Sequence, residues 1–301
     1  MAADVTEGMA PFGEFSTFYK VVGSLPKGAA RPAPLITVHG GPGATHDYLL
    51  SLTDLSRQGR AVIFYDQLGN GRSTHLPERG ADFWTVELFR AQLASLIDHL
   101  GIGGRYHLLG QSWGGFLAQE HALTGPPGLR SLVLSNTAAS FPGFVAEANR
   151  LRQELPPEIE ATLRRHEAAG TTSDPEYEAA CEVFYHRHLC RLDPWPDEIT
   201  RSFAWITEDP TVYQTMNGPS EFHVIGSIRG WEAESRLAGI RVPTLVASGR
   251  YDEATPTLQE PLLRGIQESR QVIFETSSHM PFWEERDAYM AAVDGFLSEF
   301  D

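Results

Sequence analysis

Ser112 stands in Gly110-Gln111-Ser112-Trp113-Gly114, a glycine-bracketed serine that reads as a nucleophile turn. A G-x-S-x-G pentapeptide sets its serine at the apex of a sharp bend between a strand and a helix. The flanking glycines permit the bend because a Cβ would clash where the backbone doubles back. The pattern alone is common, and its surroundings carry the weight. Tyr106, Leu108 and Leu109 precede it in a run fit for a strand, and residues 115–123 continue as a helix-compatible segment.

A serine hydroxyl is a poor nucleophile near neutral pH and needs a base held by an acid. In sheet-based hydrolytic sites with this turn, the chain order is serine, acid, histidine. After Ser112 come His121, His166, His186, His188, His223 and His279. Only His279 follows an acid that itself leaves a strand. The apolar run 242–248 passes into Gly249-Arg250-Tyr251-Asp252, and the strand-like run 271–275 passes into Thr276-Ser277-Ser278-His279. Asp174, Asp193, Asp197 and Asp209 lie in proline-rich polar stretches with no strand ahead of them. Strand ends are where such sheets display chemistry. Ser112, His279 and Asp252 are therefore expected as nucleophile, general base and orienting acid.

Acyl transfer also requires donors for an oxyanion. The Trp113 N–H, directly after the nucleophile, is the first expected donor. The second is expected from Leu35-Ile36-Thr37-Val38 followed by His39-Gly40-Gly41-Pro42-Gly43, with the Gly41 N–H aimed at the ligand. His39 precedes the serine and reads as a structural hydrogen-bonding residue.

These residues need a parallel sheet to present them. Strand-like runs recur at 35–38, 61–65, 106–109, 132–135, 244–247 and 272–274, after an extended segment at 14–22 and a Pro/Ala/Gly turn over 26–34. Helix-length segments separate most of them, such as 85–100, and the final stretch 286–300 carries Tyr289, Val293, Phe296, Leu297 and Phe300 on one face. Strands alternating with helices imply a mostly parallel sheet covered on both sides. The rhythm breaks between residues 137 and 231, where helical spacing is punctuated by seven prolines from Pro156 to Pro219. The expected division is a core of 1–136 and 232–301 with an inserted helical cap of 137–231.

Three motifs together, His39-Gly40-Gly41-Pro42-Gly43, Asp66-Gln67-Leu68-Gly69-Asn70-Gly71-Arg72-Ser73 and Gly110-Gln111-Ser112-Trp113-Gly114-Gly115, resemble those of the proline iminopeptidase family of α/β-hydrolases. Met216-Asn217-Gly218-Pro219-Ser220-Glu221-Phe222 and Gly249-Arg250-Tyr251-Asp252-Glu253 extend the likeness, which runs from about Phe12 to the C-terminus. The resemblance implies the α/β-hydrolase fold and a serine aminopeptidase or aminoacyl amidase that uses no metal or organic cofactor. Its implied substrate is a small peptide, an aminoacyl amide or an aminoacylated metabolite with a free amine; proline is not fixed as the acyl residue. The resemblance also implies that Glu221 faces the pocket, while Glu253 follows Asp252 and must lie near the active-site rim. Two carboxylates there would recognise the substrate's ammonium, since desolvating that charge without a partner costs several kcal/mol. The alternative is two solvated glutamates, with Glu253 bonding backbone.

Composition sets outer bounds. At 301 residues, with 42% hydrophobic and 21% charged residues, the chain is typical of globular proteins. A formal charge of −15 argues against nucleic acid or an anionic membrane surface as partner. The acidic start Met1-Ala2-Ala3-Asp4-Val5-Thr6-Glu7 predicts no signal peptide, and no apolar run approaches a membrane span. Two cysteines, Cys181 and Cys190, suit a reducing cytoplasm better than a disulfide framework. With His186 and His188 they match no common zinc spacing, so structural roles are expected. Phe184, Tyr185, Trp195, Phe203, Trp205 and Tyr213 read mainly as core, with one or two available to line a pocket. Two other functions fit the same residues: a carboxylesterase or lipase acting on neutral esters, and a non-catalytic small-molecule receptor on this fold.

Overall fold

The computed structural model describes residues 4–26 and 31–301. Its centre is an eight-stranded sheet in the order β1-β2-β4-β3-β5-β6-β7-β8. The strands are β1 (Val5–Phe12), β2 (Phe15–Val22), β3 (Leu35–Val38), β4 (Val62–Tyr65), β5 (Tyr106–Gln111), β6 (Leu129–Ser135), β7 (Thr244–Gly249) and β8 (Ser269–Phe274). From β4 through β8 neighbours are parallel, whereas β1–β2 and β2–β4 pair antiparallel. This is the α/β-hydrolase architecture expected from the sequence.

Alternation along the central strands builds two cores. Ile36, Val38, Ile63, Leu108, Leu132 and Val246 point to one face, against α1 (Val86–His99) and α2 (Trp113–Leu123). Leu35, Val62, Phe64, Leu109, Val133 and Leu245 point to the other, against α10 (Arg286–Ser298). Strands buried on both faces read as continuous apolar runs, which is why these were legible as strands. Thr85 caps α1 by accepting a hydrogen bond from Leu88 N–H.

The N-terminus differs from the sequence reading. A single extended segment was expected at 14–22, yet β1 and β2 form a hairpin turning at Gly13, whose φ is 60°. β1 carries Gly8 and Pro11 and is mostly exposed, so it lacks an apolar alternation. Pairing with β2 supplies what propensity does not. Residues 27–30 of the expected 26–34 turn lie outside the described residues. Between β3 and β4 a 3-10 segment, His46–Ser56, is capped by Thr45 and was not read from the sequence.

Between β6 and β7 lie α3 (Phe141–Arg152), α4 (Pro157–Ala169), α5 (Pro175–His188), α6 (Asp197–Glu208) and α7 (Thr211–Met216). They enclose a small core of their own, including Leu151, Leu163, Tyr177, Phe184 and Phe222. Buried Arg152 is paired with Glu160 at 2.8 Å and Glu167 at 2.9 Å. This segment is seated on the sheet's loops. Thr45 N–H donates to Ser202 Oγ of α6 at 3.0 Å, and a Cβ on Gly43 would stand 2.7 Å from Tyr213 Cβ of α7. Three short helices, α8 (Glu260–Gly265), α9 (Pro281–Glu284) and the 3-10 turn Pro256–Gln259, complete the chain with α10.

Candidate active site

β5 runs fully buried to Gln111 and hands over to α2 through Ser112, whose φ of 56° and ψ of −126° no regular element provides. A non-glycine residue held at positive φ stores strain, and such strain clusters where a side chain must be presented. Gly110 and Gly114 make the turn possible: a Cβ on Gly110 would collide with the Gly114 carbonyl, and one on Gly114 with the Val38 carbonyl. The loop after β3 closes on the same point, since a Cβ on Gly40 would stand 2.9 Å from Ser112 Cβ. Gly41, at φ 111°, lines a common cavity with Ser112 and Trp113. Among the described residues, neither the Gly41 nor the Trp113 amide donates a hydrogen bond, so both are free to meet an oxyanion.

Asp252 leaves β7 and His279 leaves β8, and the two meet. His279 Nδ1 donates to Asp252 Oδ1 at 2.6 Å. That same oxygen accepts Ala254 N–H at 2.9 Å, and Oδ2 accepts Asn136 Nδ2 at 2.6 Å. Gln111 Nε2 donates to the His279 carbonyl at 3.1 Å, tying the serine turn to the histidine loop. Ser112 and His279 line one cavity.

Asn136 was missed in the sequence. It follows β6 and is the only non-glycine residue besides Ser112 with positive φ (53°) among those described. Ser135 Oγ donates to its Oδ1, which aims the amide nitrogen at Asp252. The signal available was positional: an Asn directly after a central strand, as Ser112 directly follows β5.

His39 is wholly buried with Nε2 accepting Gln67 N–H at 2.9 Å. Burial pushes its imidazole down to about 4. Gln67 Oε1 in turn accepts the Trp113 indole N–H at 2.8 Å. The Asp66–Ser73 turn is locked by Asp66, which accepts His46 N–H and Nδ1 on one oxygen and Arg72 N–H on the other. These residues hold the floor under Ser112.

The two glutamates share the larger cavity with Ser112 and His279. Glu221 Oε1 accepts the Tyr213 hydroxyl at 2.7 Å. Glu253 is not at the rim, as expected, but 1% exposed. Its backbone N–H donates to the His188 carbonyl, while neither carboxylate oxygen has a hydrogen-bond partner among the described residues. The displacement from rim to interior follows from the 249–252 turn, which folds the chain back beneath α5. Burial raises both glutamates above the usual carboxylate range, Glu253 strongly. Glu253 Oε1 lies 3.7 Å from His279 Nε2. Burial pushes the His279 imidazole down, but the charges of Asp252 and Glu253 outweigh it and hold it up at about 9.

Of the aromatic residues expected as core, Phe203 and Tyr213 line this cavity. A second, smaller cavity also opens on Ser112 and is walled by Trp113, Phe116, Phe141 and Phe144. Cys181 and Cys190 are free buried thiols, which burial pushes up to about 12. Among the described residues they join no metal-type cluster; His166, Asp174 and Glu176 do, with both acids exposed. No helix among the described residues is long and apolar enough to cross a membrane.

Comparison with known proteins agrees with this fold. Residues 33–286 match the family model described as the alpha/beta hydrolase fold. The chain is 40% identical to a proline iminopeptidase of Saccharolobus solfataricus, over 98% of this chain and 93% of that protein. Among solved structures it superposes on VinJ with a TM-score of 0.96 at 49% identity, covering 98% and 99% of the two chains. It superposes on a proline iminopeptidase of Mycobacterium smegmatis with a TM-score of 0.90 at 43% identity, covering 98% of each.

Proposed function

The chain belongs to the proline iminopeptidase family of α/β hydrolases, and from that premise we propose that it is a serine aminopeptidase or aminoacyl amidase. It cleaves the amide bond after an amino acid whose amine is free. The observation that carries this reading is Glu253: a buried carboxylate with no hydrogen-bond partner among the described residues, in the cavity that holds Ser112, His279 and Glu221. A buried carboxylate whose one counter-charge is the His279 imidazole, 3.7 Å away and outside hydrogen-bond reach, is poorly satisfied, and a substrate ammonium supplies a better partner.

In this mechanism Ser112 Oγ attacks the amide carbonyl carbon while His279 Nε2 takes its proton. Asp252, held by Asn136 and the Ala254 amide, orients the imidazole and balances its charge. The Gly41 and Trp113 amides receive the oxyanion. His279 then protonates the leaving nitrogen, the C–N bond breaks, and an aminoacyl ester remains on Ser112. Water, deprotonated by His279, attacks the ester and releases the amino acid. None of these steps calls for a cofactor. We further assign residues 137–231 as a cap on the 1–136 and 232–301 core, supported by the contacts of Ser202 and Tyr213 with the loop after β3. The two free buried cysteines support a cytoplasmic setting.

The test is a panel of aminoacyl-naphthylamides (Pro, Ala, Leu, Phe) assayed beside a simple butyrate ester. Hydrolysis of one or more naphthylamides well above the ester, normalised to their spontaneous rates, supports the proposal. Turnover of the ester alone replaces it with the carboxylesterase reading.

A further inference from the structure

His279 stands between carboxylates on both of its nitrogens. Asp252 Oδ1 is 2.6 Å from Nδ1 and Glu253 Oε1 is 3.7 Å from Nε2. Nε2 is the atom that must accept the Ser112 proton, and it can do so only when it carries none. Glu221, on the turn after α7, faces the same space. The other ionisable neighbours add no cation. Tyr213 of α7 is spent on Glu221, and Tyr48 of the His46–Ser56 segment donates to Gln111. Glu284 of α9 accepts Ser278 N–H, and His188, closing α5, is bonded to the Tyr251 carbonyl and pushed down by burial. Among the described residues no Lys or Arg lines the cavity.

Resting on the aminopeptidase reading, we infer that the substrate's own ammonium unlocks the base: in the ligand-free site His279 keeps a proton on Nε2 toward Glu253, and a cation seated between Glu253 and Glu221 expels it to solvent. The ammonium replaces the imidazolium as the counter-charge of Glu253. One positive charge enters, one proton leaves, and the Nε2 lone pair turns to Ser112. The raised pKa of His279, about 9, agrees with a protonated resting state. A unit charge at about 5 Å, in an effective dielectric of about 20, lowers an imidazolium pKa by roughly two. The same repulsion makes the imidazolium a stronger acid once it has taken the Ser112 proton, when the leaving nitrogen needs it. Selection for a free amine then acts on turnover as well as on binding, and Glu253 is a positioning residue for the proton of His279.

Three readouts test this. For kcat against pH in the wild type, the acid limb for p-nitrophenyl butyrate, which brings no cation, is expected near 9. The limb for a free-amine aminoacyl p-nitroanilide is expected at least about one pH unit lower. Glu253→Gln should lower the butyrate limb and raise butyrate turnover at pH 7 several-fold. In Ser112→Ala, calorimetry in buffers of different ionisation enthalpy should record release of about half a proton or more on binding the aminoacyl p-nitroanilide at pH 7, after correction for the ligand's own ionisation. A butyrate limb near the ordinary histidine value of about 6.5, or binding without proton release, overturns the inference even if Glu253→Gln fails to fold. Coincident limbs with an intact preference for free amines over N-acetylated substrates overturn it and leave the aminopeptidase reading standing. Loss of that preference overturns both.

Discussion

Asp252 and Glu253 are consecutive, equally buried, and treated in opposite ways. The region around Asp252 is closed on itself: its two oxygens accept from His279, Ala254 and Asn136, and Gln111 and Tyr48 tie that network to the serine turn. One residue on, Glu253 faces a cavity and neither oxygen is bonded. Groups that do chemistry on every turnover are held by the protein, so no reorganisation is needed at the reacting centre. A group that recognises a charge is left for the ligand to satisfy. Under the proposed function, the unsatisfied carboxylate costs stability and returns it as selectivity.

That contrast can be broken from either side. The largest effect is expected within the closed region. Ser112→Ala and His279→Ala should each lower turnover by roughly 10⁴–10⁶, because such groups act as a unit. Steady-state assay of each variant, with circular dichroism to verify folding, checks this; near wild-type turnover in either would remove the mechanism. On the open side, Glu253→Gln and Glu221→Gln should each lower kcat/KM for free-amine substrates by about tenfold to a hundredfold, the worth of a charge-assisted contact. Activity on N-acetylated substrates should not fall in either variant. Equal losses on both substrate types would place the glutamates in the closed region instead.

Smaller effects sharpen the boundary. Asn136→Ala leaves Asp252 with an unpaired buried oxygen and should cost roughly tenfold in kcat on amide and ester alike. A loss confined to free-amine substrates would move Asn136 to the open side. The last effect is on stability. Burial raises the Glu253 pKa above its unfolded value, so the folded state binds more protons than the unfolded chain, and stability is lost as pH rises above about 4.5. Glu253→Gln should therefore be the more stable protein at pH 8, by about 0.5–2 kcal/mol, with the gap closing toward pH 4.5. Urea melts at the two pH values measure it.

What the sequence made legible follows the same division. Central strands announce themselves because double-sided burial demands apolar runs, and Ser112, Asp252 and His279 could be named because Ser112 directly follows one strand and the other two lie on the loops that leave strands. β1 was hidden, since an edge strand carrying Gly8 and Pro11 depends on pairing rather than pattern. Asn136 was hidden because nothing in its type separates a bond to Asp252 from an ordinary turn; its positive φ is visible only in three dimensions. Glu253 could be placed near the chemistry by adjacency, but its depth depends on how 249–252 folds beneath α5. Burial of a charge is a tertiary fact, and no local pattern encodes it.

The most direct measurement of the central claim is the ratio of kcat/KM for one aminoacyl-naphthylamide and its N-acetylated twin on the wild-type enzyme. The two differ by a single positive charge at the position Glu221 and Glu253 face. A ratio of about a hundred or more is expected if both carboxylates receive the ammonium. A ratio near one would mean that the open region recognises no charge, and the account of Glu253 would fall.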